Sequence, residues 1–88
     1  MSQILPPHLK GRAILLVSGQ SSISVIAEFE KALGEYVVSI NDRQEILMCG
    51  RVIAAIDFAC DPAHLPAIDA DLLALARSKG LDLAIEQV

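Results

Sequence analysis

Two cysteines, two histidines, eleven carboxylates and seven basic residues make up the chemical inventory of this 88-residue chain. Catalysis needs a nucleophile, a base or a metal at mutually reachable positions, and the spacing here offers little of that. Cys49 and Cys60 form no metal-type pair and are too few for a disulfide scaffold. They read as reduced thiols, Cys49 in a turn and Cys60 at a strand end. His8 and His64 have no patterned partner. Asp57, Asp61, Asp69, Asp71 and Asp82 are scattered, and Asp69 and Asp71 stand two apart on a helical stretch, so they do not share a face. There is no P-loop, no G-x-S-x-G and no C-x-x-C. No metal or redox cofactor is indicated.

The stretch Gly19-Gln20-Ser21-Ser22 is the more informative place. It follows an apolar run and precedes a helical pattern. A loop entering a helix exposes free amides at the positive end of the helix dipole. Small residues let a ligand approach the backbone, a carboxylate is a natural guest there, and the hydroxyls of Ser21 and Ser22 can add hydrogen bonds. The plainer alternative is that the glycine turns, a serine caps the helix and nothing binds.

The elements that must position this loop follow from periodicity. Ala13 to Val17 is a continuous aliphatic run, as expected of a buried central strand. From Ser22 the period changes: Val25, Ile26, Phe29, Ala32 and Leu33 recur at helical steps, with Ser21 or Ser22 as cap and Gly34 as a left-handed stop. Tyr36 to Ile40 reads as a strand, Asn41-Asp42-Arg43 interrupts it, and Ile46 to Met48 resumes it. Cys49-Gly50 is a tight turn into a strand over Val52 to Ala59, which makes a hairpin. Asp61-Pro62 punctuates the chain, and Pro66 fits the first turn of a second helix. That helix buries Ile68, Leu72, Leu75 and Ala76 and ends with Arg77, Lys79 and Gly80. Leu81, Leu83 and Ile85 then alternate with polar positions, the mark of a half-buried strand.

The order is βαββαβ, which predicts an α+β, ferredoxin-like fold: a four-stranded antiparallel sheet with two helices on one face. Met1 to Gly11 is expected to be a flexible tail and residues 12–88 the domain. Acylphosphatases share this fold and need an arginine and an asparagine at set places; Arg12 and Arg43 are present, but no phosphate-cradling loop accompanies either. An enzyme of that kind is the less favoured alternative.

The composition narrows partners. Hydrophobic residues make up 53% of the chain and aromatics only 3%, with a mean hydropathy of +0.50, so the core must be aliphatic. An aliphatic excess in so small a domain fits either a second copy or neighbouring domain, or simply an ordinary dense core. The net charge of −4 and the lack of a basic stripe argue against nucleic acid. The longest apolar run, Val52 to Ile56, is far below the ~20 residues of a membrane span, and the N-terminus has no apolar signal core. A cytoplasmic protein with no membrane partner is expected.

Four segments carry a family resemblance: Ile14 to Gly19 (ILLVSG), Ile23 to Leu33 (ISVIAEFEKAL), Glu45 to Phe58 (EILMCGRVIAAIDF) and Leu72 to Glu86 (LLALARSKGLDLAIE). Together the chain resembles an ACT domain, more narrowly the N-terminal ACT-like region of bacterial phosphoserine phosphatases. The family usually writes its first loop G-x-D-x-P-G. Here Gly19 matches the first glycine and Ile23 and Ser24 the end, while the aspartate and Pro-Gly are missing. The resemblance implies a non-catalytic regulatory domain of a serine-biosynthesis phosphatase. It implies a small amino acid such as L-serine as ligand. Gly19, Gln20, Ser21 and Ser22 would take its carboxylate, and Asn41 and Asp42 of a partner subunit its ammonium. The family's usual glutamine on that strand corresponds to Glu45 or Gln44. A homodimer, or pairing with a second ACT domain, is implied. A pure assembly module without ligand is the alternative. The D-x-D of the parent enzyme is absent, since Asp69-Ala70-Asp71 falls inside a helix. The chain therefore looks like a domain split off a longer enzyme, ending just past its last strand.

Overall fold

The computed structural model describes residues 9–88. β1 (Gly11–Gln20), α1 (Ile26–Leu33), β2 (Val38–Met48), β3 (Arg51–Cys60), α2 (Leu65–Ser78) and β4 (Asp82–Gln87) follow one another, with a short 3-10 turn at Pro62–His64 before α2. The four strands form one sheet in the order β2-β3-β1-β4, and every neighbouring pair is antiparallel. The fold is the expected ferredoxin-like βαββαβ.

Period-two alternation decides which side of the sheet is covered. Ala13, Leu15 and Val17 of β1 and Val52, Ala54, Ile56 and Phe58 of β3 are buried. They form one cluster with Phe29 and Leu33 of α1 and Ile68, Leu72 and Ala76 of α2. Both helices therefore lie on the same side. The intervening residues point to the other, helix-free face, where Leu16 is 38% exposed and Ile53 58%.

Several boundaries differ from those read in the sequence. β2 is one continuous strand through Asn41-Asp42-Arg43, because its ladder with β3 absorbs the polar stretch in a bulge: the register steps from Ile40 opposite Phe58 to Asp42 opposite Asp57. Cys49 and Gly50 form the tight turn, both at positive φ (53° and 72°), as a type I′ hairpin requires. Gly34 does not take the left-handed conformation; its φ is −66°. The chain leaves α1 through short-range bonds instead, from Glu35 N to the Ala32 carbonyl at 3.2 Å and from Tyr36 N to the Leu33 carbonyl at 3.0 Å. Gly80 does take it, with φ 68°. It lets Leu81 N reach back to the Ala76 carbonyl at 2.9 Å and Gly80 N to that of Arg77 at 3.1 Å, a Schellman ending. The tail expected over Met1–Gly11 lies, for its first eight residues, outside the described residues. Leu9 is buried, and β1 begins at Gly11.

Candidate functional site

The first helix entry is built from three elements. β1 extends to Gln20, so Gly19 and Gln20 are strand residues paired with Val52 and Arg51. Gly19 has φ 155°, and a Cβ there would lie 2.7 Å from Leu81 Cδ2. Its lack of a side chain therefore admits Leu81, whatever else it admits. Ser21 N donates to the Gly50 carbonyl at 2.9 Å, pinning the loop to the hairpin turn. Ser21 Oγ donates to the Ile23 carbonyl at 2.7 Å and accepts from Ile23 N at 3.3 Å. Ser22 is exposed.

The cap expected from Ser21 or Ser22 is not made. α1 starts later, at Ile26, and the N-cap position Val25 has no side-chain cap of its own. The first-turn amides are taken by a carboxylate from another element. Glu45 on β2 accepts from Val25 N at 2.9 Å and Ile26 N at 3.1 Å through Oε2, and from Ser24 Oγ at 2.5 Å through Oε1. The helix start does bind a carboxylate, and that carboxylate belongs to the chain itself. Partial desolvation pushes the Glu45 carboxyl up, but the hydrogen bonds from Ser24, Val25 and Ile26 together outweigh it and hold the group below its ordinary value of 4.5.

Asn41 and Asp42 lie elsewhere on β2. Asn41 is the bulge residue, without a ladder partner. Asp42 faces Asp57 across the strands on the helix-free side, and its Oδ1 accepts from Arg43 N at 2.7 Å. Like charges directly opposite are unfavourable, and Arg12 offsets this one: its Nε and Nη2 fork onto Asp57 Oδ1 and Oδ2 at 3.1 and 2.7 Å. That hydrogen bond, opposed by desolvation and helped by one from Asn41, keeps Asp57 below the usual carboxylate value. Gln20 is in register with Arg51, which pairs with Met48, and Met48 stands about 20 Å along β2 from Asp42 at ~3.3 Å per residue. Within one chain the structure does not bring Gly19–Ser22 together with Asn41 and Asp42.

The remaining reactive groups are engaged or apart. Arg43 Nη1 holds both Glu30 oxygens at 2.7 and 2.6 Å. Asp71 accepts from the Tyr36 hydroxyl. Cys49 is exposed at the hairpin tip and Cys60 is buried; burial, then the nearby Asp61 charge, pushes the Cys60 thiol up. Among the described residues no three His, Cys, Asp or Glu side chains are grouped to hold a metal ion, and no helix is long and apolar enough to cross a membrane.

Comparison with known proteins places this geometry. No protein-family model matches the chain, and no curated protein does. Solved structures do. An ACT domain protein from Streptococcus pneumoniae superposes with a TM-score of 0.74 at 14% identity, over 88% of this chain and 89% of that one. The chain has the ACT-type ferredoxin-like fold. A protein described as a glycine cleavage system transcriptional repressor matches with a TM-score of 0.79 at 10% identity, over 89% of this chain. A formyltetrahydrofolate deformylase from Burkholderia mallei matches with 0.77 at 14% identity, over 86% of it. The chain spans 46% of the repressor and 28% of the deformylase.

Sequence reasoning names Glu45 and Ser24 only as family-matching positions, not for the contacts they make here. The bond from Glu45 to the start of α1 is not legible there, because nothing in spacing alone says which helix a strand residue will reach.

Proposed function

We propose that this chain is a non-catalytic, cytoplasmic regulatory domain that works paired, with a second copy of itself or with another domain of the same fold. The observation that carries this reading is the uncovered face of the sheet. Ile46 and Ile53 stand opposite each other on β2 and β3, Met48 and Leu16 lie on the same face, and these four are 38–67% exposed. Contiguous apolar surface of this kind, rimmed by Arg51, Asp57 and Asp82, marks an interaction surface. The arginines an acylphosphatase-like enzyme would need are engaged with Asp57 and Glu30, which disfavours that alternative.

The second reading adds a ligand. A small amino acid such as L-serine would sit between paired domains, its carboxylate at Gly19, Gln20, Ser21 and Ser22 and its ammonium at Asn41 and Asp42 of the other copy. The parent protein would then be a phosphoserine phosphatase. Support comes from the carboxylate-binding amides at the start of α1; the competing fact is that Glu45 already fills them, which favours assembly without ligand.

Sedimentation over a concentration range, with amide NMR during titration with L-serine and with glycine, separates the readings. A mass that rises with concentration and falls back to monomer in Ile53→Asp supports pairing through this face. Saturable serine shifts at Gly19 to Ser22 and Asn41 to Asp42 support the ligand reading; pairing without them supports the assembly module. A chain that stays monomeric and ignores both amino acids overturns the proposal.

A further inference from the structure

α1 is held in two chemically different ways. Its apolar side, Phe29 and Leu33, is buried in the common core with β1, β3 and α2. Its attachment to the edge strand β2 is polar. Arg43 and Glu45 stand two apart on β2, opposite the buried Ile56 and Ala54 of β3, so both project to the helix side. Arg43 donates through Nη1 to both Glu30 oxygens, and Glu45 closes the first turn through Ser24, Val25 and Ile26. Among the described residues β2 has one sheet neighbour, β3, and from Asn41 to Met48 every residue but Glu45 itself is exposed.

We infer that Arg43 and Glu45 form a releasable latch. When it opens, the loop Ser21–Val25, the first turn of α1 and the outer part of β2 come free together, while the core of β1, β3 and α2 stays closed. The reasoning is energetic. A helix start without a local cap leaves its first amides dependent on their partner, and ion pairs near the surface weaken when the carboxylate is protonated or the charges are screened. Local opening of such segments below the global unfolding free energy is expected. The charged groups around Glu45 are few. On α1, Glu28 is engaged by Lys79, just past the end of α2, and Glu30 by Arg43. The opposite residue on β3 is Ala54, and β1 and its loop contribute only uncharged side chains from Ser18 to Ser24. The latch links the edge strand to the β1–α1 loop whether or not any ligand binds there.

Native-state hydrogen exchange on the whole chain tests it. In Glu45→Gln, protection at Val25 and Ile26 is expected to fall roughly 5- to 30-fold, the factor that one lost cap corresponds to, with Gln44 and Ile46 following and Leu15 and Ile56 unchanged. If Val25 and Ile26 keep their protection, or lose it only together with Leu15 and Ile56, the latch is wrong. Should that variant not fold, the same ratio is read in the wild type at low salt and at about 1 M sodium chloride, where the Debye length is about 3 Å. Selective loss at Val25 and Ile26 in salt supports the latch, and uniform protection overturns it.

Discussion

The two helices of this domain begin in opposite ways. α2 is started by its own neighbours. Asp61 Oδ1 accepts from Ala63 N at 2.9 Å, His64 N donates to the Asp61 carbonyl at 2.9 Å, and Pro62 and Pro66 supply first-turn positions with no N–H to satisfy. α1 is started by Glu45, about twenty positions further on. One entry is a local structure that the chain could form before it folds. The other exists only after β2 has docked beside β3. The first is therefore robust to distant change, and the second reports on it.

The largest effect should ignore this difference. Phe29→Ala on α1 and Leu72→Ala on α2 each open a hole in the same buried cluster, and each should cost about 3–5 kcal/mol in urea unfolding. If the α1 truncation costs far less, α1 is held mainly by its polar side, and the comparison sharpens. Next come the caps themselves. Asp61→Ala and Glu45→Ala should each cost about 1 kcal/mol. Chemical shifts should change only around Pro62 to Pro66 in the first, but on β2, in the loop and in α1 in the second. Equal, purely local footprints would break the contrast.

Acid provides a third test. Glu45 sits below its ordinary value in the folded chain, so its contribution is fully present above the ordinary carboxylate range. It is lost as pH falls through the lowered folded value. Asp57, held down chiefly by its hydrogen bond from Arg12, loses its contribution in the same direction. The difference between wild type and Glu45→Gln isolates the latch: it should be constant near neutrality and shrink in acid. A difference that grows in acid would reverse the assignment. The smallest effect is expected at the residue the sequence favoured. The Ser21 hydroxyl bonds to Ile23 two residues away, so Ser21→Ala should change stability by no more than about 0.5 kcal/mol. Ser24→Ala, which removes a partner of Glu45, should change it more.

Most of the architecture was legible because its signals are local. The continuous aliphatic run Ala13 to Val17, the alternation in Leu81 to Ile85, helical spacing from Val25 to Leu33 and Ile68 to Ala76, and the Cys49-Gly50 turn each depend on side chains a few positions apart. The errors came where a local signal was overruled. Asn41-Asp42-Arg43 looks like an interruption, yet β3 supplies a ladder that carries the strand through it with one bulge. Ser21 and Ser22 look like caps, yet the helix starts beyond their reach.

By itself, then, the sequence determined the order of elements and the aliphatic core, because hydrophobic periodicity is written residue by residue. Only the tertiary structure decided what closes the first helix, which glycine is left-handed and which face of the sheet is left bare. The closure of the first helix and the pairing of charges across the sheet depend on distant residues, 20 and 45 positions apart, becoming neighbours, as Glu45 does with Val25 and Arg12 with Asp57. A carboxylate on an edge strand has no preferred partner until the fold has placed one within hydrogen-bond range.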